Sequence, residues 1–186
     1  MTKPKLSGPA VFMYSTMVLT ALIAALCFVL YYSGLFASGV VLWTGIVAFM
    51  ILYHFGLRIF MGKLTVFFPI SPQWLLFRPL AFERKLYRLL RVKQWKGHVL
   101  TFEPENFDLQ TRTLEQVAHT MCKSELDHWI NELISLTSLL FSLLWGQFPI
   151  FLVTALAAMI FDAQFIVVQR YNRPKVLRLA ERRRHP

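Results

Sequence analysis

Residues 6–57 contain no Asp, Glu, Lys or Arg. A membrane-spanning helix needs about 20 consecutive apolar residues, so this stretch is long enough for two helices and a turn. We place the spans near residues 10–32 and 40–60 and the turn at the Gly- and Ser-rich segment 33–39. A cleaved signal peptide is the alternative for the first span. Its apolar region would be only about 7–15 residues long, whereas here a second span follows at once.

A second stretch without charged residues covers residues 133–161. The Gly-Gln-Phe-Pro sequence at 146–149 favours a break in it, so we predict spans near 129–145 and 151–168. Hydrophobic residues make up 56% of the sequence and charged residues 16%, against roughly 25% charged residues in a soluble domain. The sequence therefore predicts an all-α integral membrane protein, a single membrane domain over 1–186 with about four transmembrane helices.

The segment between the two pairs of spans, residues 62–128, is predicted to lie on the membrane surface. Its first part, 63–80, alternates prolines with aromatic residues, which indicates an irregular interfacial segment. A basic amphipathic helix is predicted at 82–96, with Gly97 at its end.

Two further elements flank the third and fourth spans. The polar loop 103–112 is followed by a predicted helix at 113–129, which Thr113 and Gln116 would begin as a capping box. After the last span comes a basic tail, 170–186, in which residues 175–184 are predicted to form a short surface helix.

The distribution of cations predicts the orientation in the membrane. The chain has 20 Lys and Arg against 10 Asp and Glu, and neither of the two predicted short turns, 33–39 and 146–149, carries a cation. Because cations collect on the cytoplasmic side, both termini and the segment 62–128 are predicted to be cytoplasmic. A surplus of cations also occurs in nucleic-acid-binding proteins, but the sequence has no zinc-finger or RNP pattern.

Glu125 and His128 are the strongest candidates for chemistry. They lie three residues apart, which places both side chains on one face of a helix. A carboxylate beside an imidazole fixes its tautomer and raises its basicity, the pairing used by a histidine general base. The alternative is that His128-Trp129 anchors the helix at the membrane interface.

A metal site is less well supported by the spacing of possible ligands. His119, Cys122, Glu125 and His128 recur at steps of three. A zinc-binding helix usually supplies two ligands four residues apart and needs others from elsewhere. No metal is therefore predicted.

Polar residues in or beside the last span have two interpretations each. A carboxylate inside a membrane is costly and usually faces a polar interior, so Asp162 either lines a functional cavity or pairs with Asn131 or Glu132. Arg170 and Arg173 either clamp a phosphate or carboxylate or act as cations that stop translocation.

Three blocks of sequence resemble a known family. They are YRLLRVKQWK at 87–96, ELDHW at 125–129 and VVQRYNRP at 167–174. Together they look like the bacterial glycosyl-4,4'-diaponeurosporenoate acyltransferases of staphyloxanthin-type carotenoid synthesis. Asp127 and Glu132 fall where we expect no acidic residue in that family.

The resemblance implies a multispan protein of the bacterial cytoplasmic membrane that transfers a fatty acyl group to a sugar hydroxyl of a glycolipid. The family's blocks include Glu125 and His128, whose spacing leads us to expect His128 as general base and Glu125 as the carboxylate that holds it, together with a set of substrate-binding residues. That set consists of Trp95, Lys96, Trp129, Gln169, Arg170, Asn172 and Arg173.

The expected mechanism needs no cofactor. The acyl donor would be acyl-CoA or acyl carrier protein, whose phosphates Lys96, Arg170 and Arg173 would bind. The expected partners are the membrane lipid or glycolipid acceptor and the donor, with a homo-oligomer or biosynthetic complex as further possibilities. Two alternatives remain: a non-catalytic membrane subunit or scaffold that docks a partner on its basic cytoplasmic face, and, with less support, a small membrane methyltransferase.

Overall fold

The computed structural model describes residues 7–101 and 103–184. Lys3 and Lys5, two of the cations behind the predicted cytoplasmic N-terminus, lie outside these ranges, as do His185 and Pro186. All regular structure within the described residues is helical, as predicted. The α-helices are α1 (Gly8–Tyr32), α2 (Gly39–Leu64), α3 (Glu83–Leu89), α4 (Val92–Trp95), α5 (Leu114–Thr137), α6 (Ser142–Trp145) and α7 (Phe148–Arg184).

Three helical stretches within the described residues are long and apolar enough to cross a membrane: Gly8–Tyr32, Gly39–Phe67 and Phe148–Arg183. The first two cover the predicted spans 10–32 and 40–60, and the third contains the predicted span 151–168. The chain is thus an all-α membrane protein. The predicted span 129–145 is built from the end of α5, a 3₁₀ turn and the short α6, and its crossing of the membrane stays a prediction.

The chain divides into two compact units, one ending at Phe60 and the other beginning at Met61. In the first unit, α1 begins at Gly8 because Ser7 caps it by accepting from the N–H of Ala10. The predicted turn joins α1 to α2, and Gly34 adopts a positive φ of 78° there. The helices approach closely at Gly45, where an added Cβ would lie 3.0 Å from the Cβ of Cys27.

The second unit is organised around the packing of α5 against α7. The predicted capping box is present: Gln116 N–H donates to Thr113 Oγ1 at 3.2 Å, and Thr113 N–H donates to Gln116 Oε1 at 2.9 Å. From this start α5 continues without interruption to Thr137. Each of the two helices buries polar side chains as well as apolar ones, including Glu125 on α5 and Asp162 on α7.

The predicted single helix at 82–96 is wrong, because the chain forms α3 and α4 with a break between them. Arg91 lies at the break in the left-handed region with φ 50°. The indole N–H of Trp95 donates to the carbonyl of Leu90 at 2.8 Å, which satisfies a backbone acceptor released at the end of α3. Gly97 lies inside a 3₁₀ turn, Lys96–His98, and α4 ends before it.

The predicted separate surface helix at 175–184 is also wrong, because α7 continues through Pro174 to Arg184. Side chains in the turn before the proline are anchored to the rest of the second unit, which holds the backbone helical there. The predicted irregular segment 63–80 is confirmed after the end of α2, with two short 3₁₀ turns, Thr65–Phe67 and Leu75–Phe77.

Candidate active site

His128 projects from α5 against α7 and meets a carboxylate there. Its Nδ1 lies 2.8 Å from Oδ1 of Asp162, and its ring stacks on Phe165 with centroids 4.3 Å apart and planes 5° apart. The Asp162 side chain is 1% exposed, whereas that of His128 is 19% exposed. The pair therefore has a buried carboxylate and a partly accessible imidazole.

Asn131 completes this cluster from one turn further along α5. Its Nδ2 donates to the same Oδ1 of Asp162 at 3.1 Å, and the side chain is buried. Of the two pairings considered for Asp162, the one with Asn131 is thus present. The same carboxylate also contacts the predicted catalytic imidazole, so the structural and functional interpretations of Asp162 are compatible.

A carboxylate on Nδ1 decides what the other ring nitrogen can do. The Nδ1–H of His128 donates a hydrogen bond to the Asp162 carboxylate, so the neutral imidazole carries its lone pair on Nε2. The stacking on Phe165 restricts rotation of the ring. A histidine held in this way can accept a proton at Nε2, and the negative charge of Asp162 stabilises the resulting imidazolium.

The prediction that Glu125 orients His128 is corrected by these contacts. Glu125 is fully buried, and its carboxylate accepts from Nη1 of Arg170 at 2.6 Å, from Nη1 of Arg173 and from the indole of Trp129 at 3.4 Å. A step of three residues rotates the side-chain direction by about 60°. Glu125 therefore meets α7 at its two arginines, while His128 meets it at Asp162.

The two arginines also hold the irregular segment before α3. Arg170 donates to the carbonyls of Leu76 at 2.7 Å and Arg78 at 2.8 Å. Arg173 donates to the carbonyl of Phe77 at 2.6 Å and lies 5.0 Å from the centroid of that ring. The donors expected to bind phosphate are thus directed to protein carbonyls and carboxylates, and Arg173 is only 2% exposed.

Glu83 is a member of this ion network that the sequence did not indicate as a site residue. It accepts from Nε of Arg170 at 2.8 Å and from the hydroxyl of Tyr87 at 2.9 Å. Burial, with a further effect of Glu83, raises the pKa of Tyr87 above its usual value. The sequence feature that could have indicated its role is that Glu83 is the one acidic residue in the otherwise basic segment 82–96.

Three other predicted binding residues form hydrogen bonds outside the ion network, namely Lys96, Asn172 and Gln169. The Lys96 ammonium donates to Oδ1 of Asn172 at 2.7 Å, so these two predicted binding residues are together. Gln169 donates to Oγ of Ser124 at 3.3 Å and links α7 to α5.

Trp95 lies apart from the ion network. Together with α7 it lines an open groove of about 360 Å³, to which Ala157, Ile160, Phe161 and Gln164 contribute. Trp129 is 40% exposed. The predicted substrate-binding residues are therefore spread over several environments.

Two further candidates are placed away from the imidazole. Asp127 accepts from Lys123 Nζ at 2.7 Å and from the hydroxyl of Thr65, so its carboxylate is engaged by other partners than His128. Burial raises the pKa of the Cys122 thiol to about 11. Among residues 7–101 and 103–184, no three His, Cys, Asp or Glu side chains converge as metal ligands would.

Comparison with known protein families identifies a relationship over much of the second unit. The family model described as glycosyl-4,4'-diaponeurosporenoate acyltransferase matches residues 72–182, more than half of the chain. This range contains the three sequence blocks and every side chain of the His128 cluster and the ion network. No curated protein and no solved structure matches the chain.

Proposed function

Because the chain belongs to the glycosyl-4,4'-diaponeurosporenoate acyltransferase family, we propose that it transfers a fatty acyl group to a sugar hydroxyl of a membrane-embedded carotenoid glycoside. The family description names an acyl transfer and an acceptor that carries both a sugar and a polyene. An acceptor of that kind is confined to the bilayer, in keeping with a chain whose long helices can span it.

The observation that carries the proposal is the His128–Asp162 pair. In the proposed reaction Nε2 of His128 takes the proton of the acceptor hydroxyl as its oxygen attacks the carbonyl carbon of an acyl thioester. The tetrahedral intermediate collapses with cleavage of the C–S bond, and the imidazolium returns the proton to the leaving thiolate. The products are the ester and the free thiol.

Asp162 and Asn131 are assigned as positioning residues for His128. The carboxylate holds the proton on Nδ1 and stabilises the positive charge that develops on the ring, an effect that is stronger where water is excluded. The amide of Asn131 holds the carboxylate oxygen in place at 3.1 Å. Glu125 has a different part, because with Arg170 and Arg173 it fixes α5, α7 and the segment 75–78 together.

The cation distribution supports a cytoplasmic location for the reaction. Nine of the cations lie from Arg58 to Lys96 and seven from Arg170 onward, and cations mark the cytoplasmic side. We propose that the protein lies in the cytoplasmic membrane with this face toward the compartment that supplies acyl thioesters.

The test is acyl transfer by the purified protein in lipid nanodiscs. The protein is mixed with palmitoyl-CoA and the glycosyl carotenoid, and the lipids are analysed by mass spectrometry. His128→Ala is expected to lower the rate by about 10²–10⁴-fold, the usual contribution of a positioned general base. His119→Ala is the matched control, because His119 is exposed on the same helix.

Absence of product from folded wild-type protein would favour the alternative, a non-catalytic subunit that docks a partner on its basic face. Equal rates for His128→Ala and His119→Ala would contradict the assignment of the base while leaving the acyl transfer itself in place.

A further inference from the structure

One face of α7 combines apolar side chains, an aromatic ring and a cation in register. Residues that follow one another at alternating steps of four and three lie along one side of a helix. On α7 this series is Ala157, Phe161, Gln164, Val168, Tyr171 and Lys175. At about 1.5 Å per residue the face is about 27 Å long, roughly the length of an extended lipid.

The first half of this face is the groove beside Trp95. Its volume of about 360 Å³ lies at the low end of the range for small-molecule sites. Ile160 is 74% exposed and Phe161 49% exposed, so the groove is open along its side. An apolar groove that is open sideways in a membrane-spanning stretch can admit an acyl chain from the bilayer without passage through water.

The second half of the face carries two ammonium groups around one aromatic ring. Lys175 Nζ lies 3.3 Å and Lys96 Nζ 5.2 Å from the centroid of Tyr171. An ammonium group has three N–H donors, and Asn172 takes one of those of Lys96. Two ammonium groups beside the same ring make this a locally positive surface that favours a bound anion, and phosphate is an anion that lysine binds as a point charge.

His128 lies beside the junction of the two halves. Phe161 lines the groove and contacts Phe165 edge to face at 5.2 Å, and Phe165 stacks on His128. Gln164 and Tyr171, which mark the ends of the two halves, are about 10 Å apart along the helix. The reactive carbonyl of a molecule that joins an acyl chain to a phosphate would therefore lie near the imidazole.

We propose that this face of α7 is the binding site for the acyl donor, a molecule in which a fatty acyl chain is linked to a phosphate-bearing group. The acyl chain occupies the groove at Trp95, Ala157 and Phe161, and the phosphate binds between Lys96 and Lys175. The proposal rests on the proposed acyl transfer, and it keeps the predicted phosphate contact of Lys96 while Lys175 takes the place of Arg170 and Arg173. Acyl-CoA and an anionic phospholipid share the required chemistry.

The cation pair is tested by the double variant Lys96→Gln/Lys175→Gln. A hydrogen bond to a charged group is strong enough that loss of both cations should raise the KM for palmitoyl-CoA by at least about tenfold. The kcat should stay within about twofold, because neither lysine touches the reacting atoms. Lys85→Gln is the matched control, an exposed lysine on α3 away from this face. A KM equal to that of the control would overturn the assignment.

The groove is tested by filling it. Ala157→Phe should shift the preference from palmitoyl-CoA toward lauroyl-CoA, because the added ring shortens the space for the chain. Ala163→Phe is the control, because residue 163 is exposed on another side of the same helix. Unchanged chain-length preference in the Ala157 variant would overturn the placement of the acyl chain.

Binding is measured separately from turnover with palmitoyl-CoA that carries a photoreactive diazirine on its chain. Crosslinks are expected at Trp95 or Phe161 and should be lost in the double lysine variant. Competition by unlabelled palmitoyl-CoA but not by phosphatidylglycerol identifies the thioester as the source, and competition by phosphatidylglycerol at lower concentrations than palmitoyl-CoA identifies the phospholipid. Equal competition by methyl palmitate, which has no phosphate, would contradict the proposal.

The two proposals fail in different ways. Crosslinks in the groove without any acylated product would remove the proposed reaction and leave the lipid site. Acylated product with crosslinks elsewhere and a wild-type KM in the lysine variant would remove the donor site and leave the reaction.

Discussion

Replacing Asp162 with asparagine separates two effects of this carboxylate on His128. One oxygen, Oδ1, lies 2.8 Å from Nδ1 of His128 and 3.1 Å from Nδ2 of Asn131. In Asp162→Asn the amide oxygen should keep this place, because a rotated amide would set its NH₂ group against that of Asn131. The imidazole then keeps its tautomer and loses only the negative charge of its partner.

The cost of losing the charge follows from the strength of the hydrogen bond. A hydrogen bond to a charged group contributes about 1.5–3 kcal/mol and a neutral one about 0.5–1.5 kcal/mol. The difference of roughly 1–1.5 kcal/mol corresponds to about a tenfold fall in kcat. Asp162→Ala removes the orientation as well, so its kcat should fall by about 10²–10⁴-fold.

Removing the amide of Asn131 should lower the kcat of the Asp162→Asn variant much further. In Asn131→Ala/Asp162→Asn the amide can turn and donate to Nδ1, which moves the ring proton to Nε2 and blocks the base. The corresponding wrong tautomer costs about 10⁴-fold in a Ser-His-Asp triad. The double variant should therefore be far less active than the product of the two single effects.

The assay is a double-mutant cycle on kcat for palmitoyl transfer, with detergent unfolding measured for each variant to establish that it is folded. Either of two results would contradict the roles given to Asp162 and Asn131. One is an Asp162→Asn variant as inactive as Asp162→Ala, and the other is additivity of the effects at 131 and 162.

Three further predictions concern the surroundings of the site. Arg173→Ala leaves the buried carboxylates of Glu125 and Glu83 with only Arg170 to balance them, and this uncompensated charge should destabilise the second unit by about 3–5 kcal/mol. The exposed Arg178→Ala should change the free energy of unfolding by less than about 0.5 kcal/mol, and similar losses in the two variants would contradict the role of the network. The folded state favours the neutral Tyr87 phenol and so raises its pKa. The contribution of Tyr87 to the free energy of unfolding should therefore be complete below about pH 10 and fall above it. Tyr87→Phe, measured over the same pH range, should lack that fall. Because burial raises the pKa of the Cys122 thiol to about 11, little thiolate is present at about pH 8. In a Cys27→Ser background, Cys122 should therefore react with maleimide about 100-fold more slowly when the protein is folded than when it is denatured. Rapid labelling of the folded protein would show that the thiol is not buried.

Local sequence signals predicted the elements whose ends are chemically marked. Thr113 and Gln116 form the expected capping box, and the Gly-Gln-Phe-Pro sequence at 146–149 ends α6 with positive φ at Gly146 and Gln147. Long stretches without charge identified α1, α2 and the first part of α7. These signals depend only on neighbouring residues, so a single sequence was sufficient.

The break at Arg91 had no such signal. An arginine in the left-handed region carries a steric cost of about 1–2 kcal/mol, and tertiary contacts rather than local preference must support it. The continuation of α7 through Pro174 is the opposite case: a residue that interrupts helices is accommodated, while Arg170 and Arg173 in the preceding turn are anchored by long-range contacts.

The site shows the same division between local and long-range information. Helical spacing put Glu125 and His128 on one face of α5, and both side chains contact α7, but the spacing could not say which partner each would find. Asp162 lies 34 residues after His128, and Arg173 lies 48 residues after Glu125. The register of α5 against α7 decides these pairs, and that register depends on the packing of both helices together.

The separation of the two carboxylates suggests a division of roles within the second unit. Glu125 is enclosed by arginines and fixes the position of α5 on α7, whereas Asp162 meets the one partly accessible imidazole of the cluster. Variants of Glu125 and Arg173 should thus affect folding first, and variants of Asp162 and Asn131 should affect the chemical step first.

The most direct test of the central claim is mass spectrometry of lipids after purified protein in nanodiscs is incubated with palmitoyl-CoA and the glycosyl carotenoid. Wild-type protein and His119→Ala are expected to yield a product that has gained one palmitoyl chain, and His128→Ala is expected to form it about 10²–10⁴-fold more slowly. A folded wild-type protein that yields no acylated carotenoid, or a His128→Ala variant as active as the wild type, would contradict His128-dependent acyl transfer.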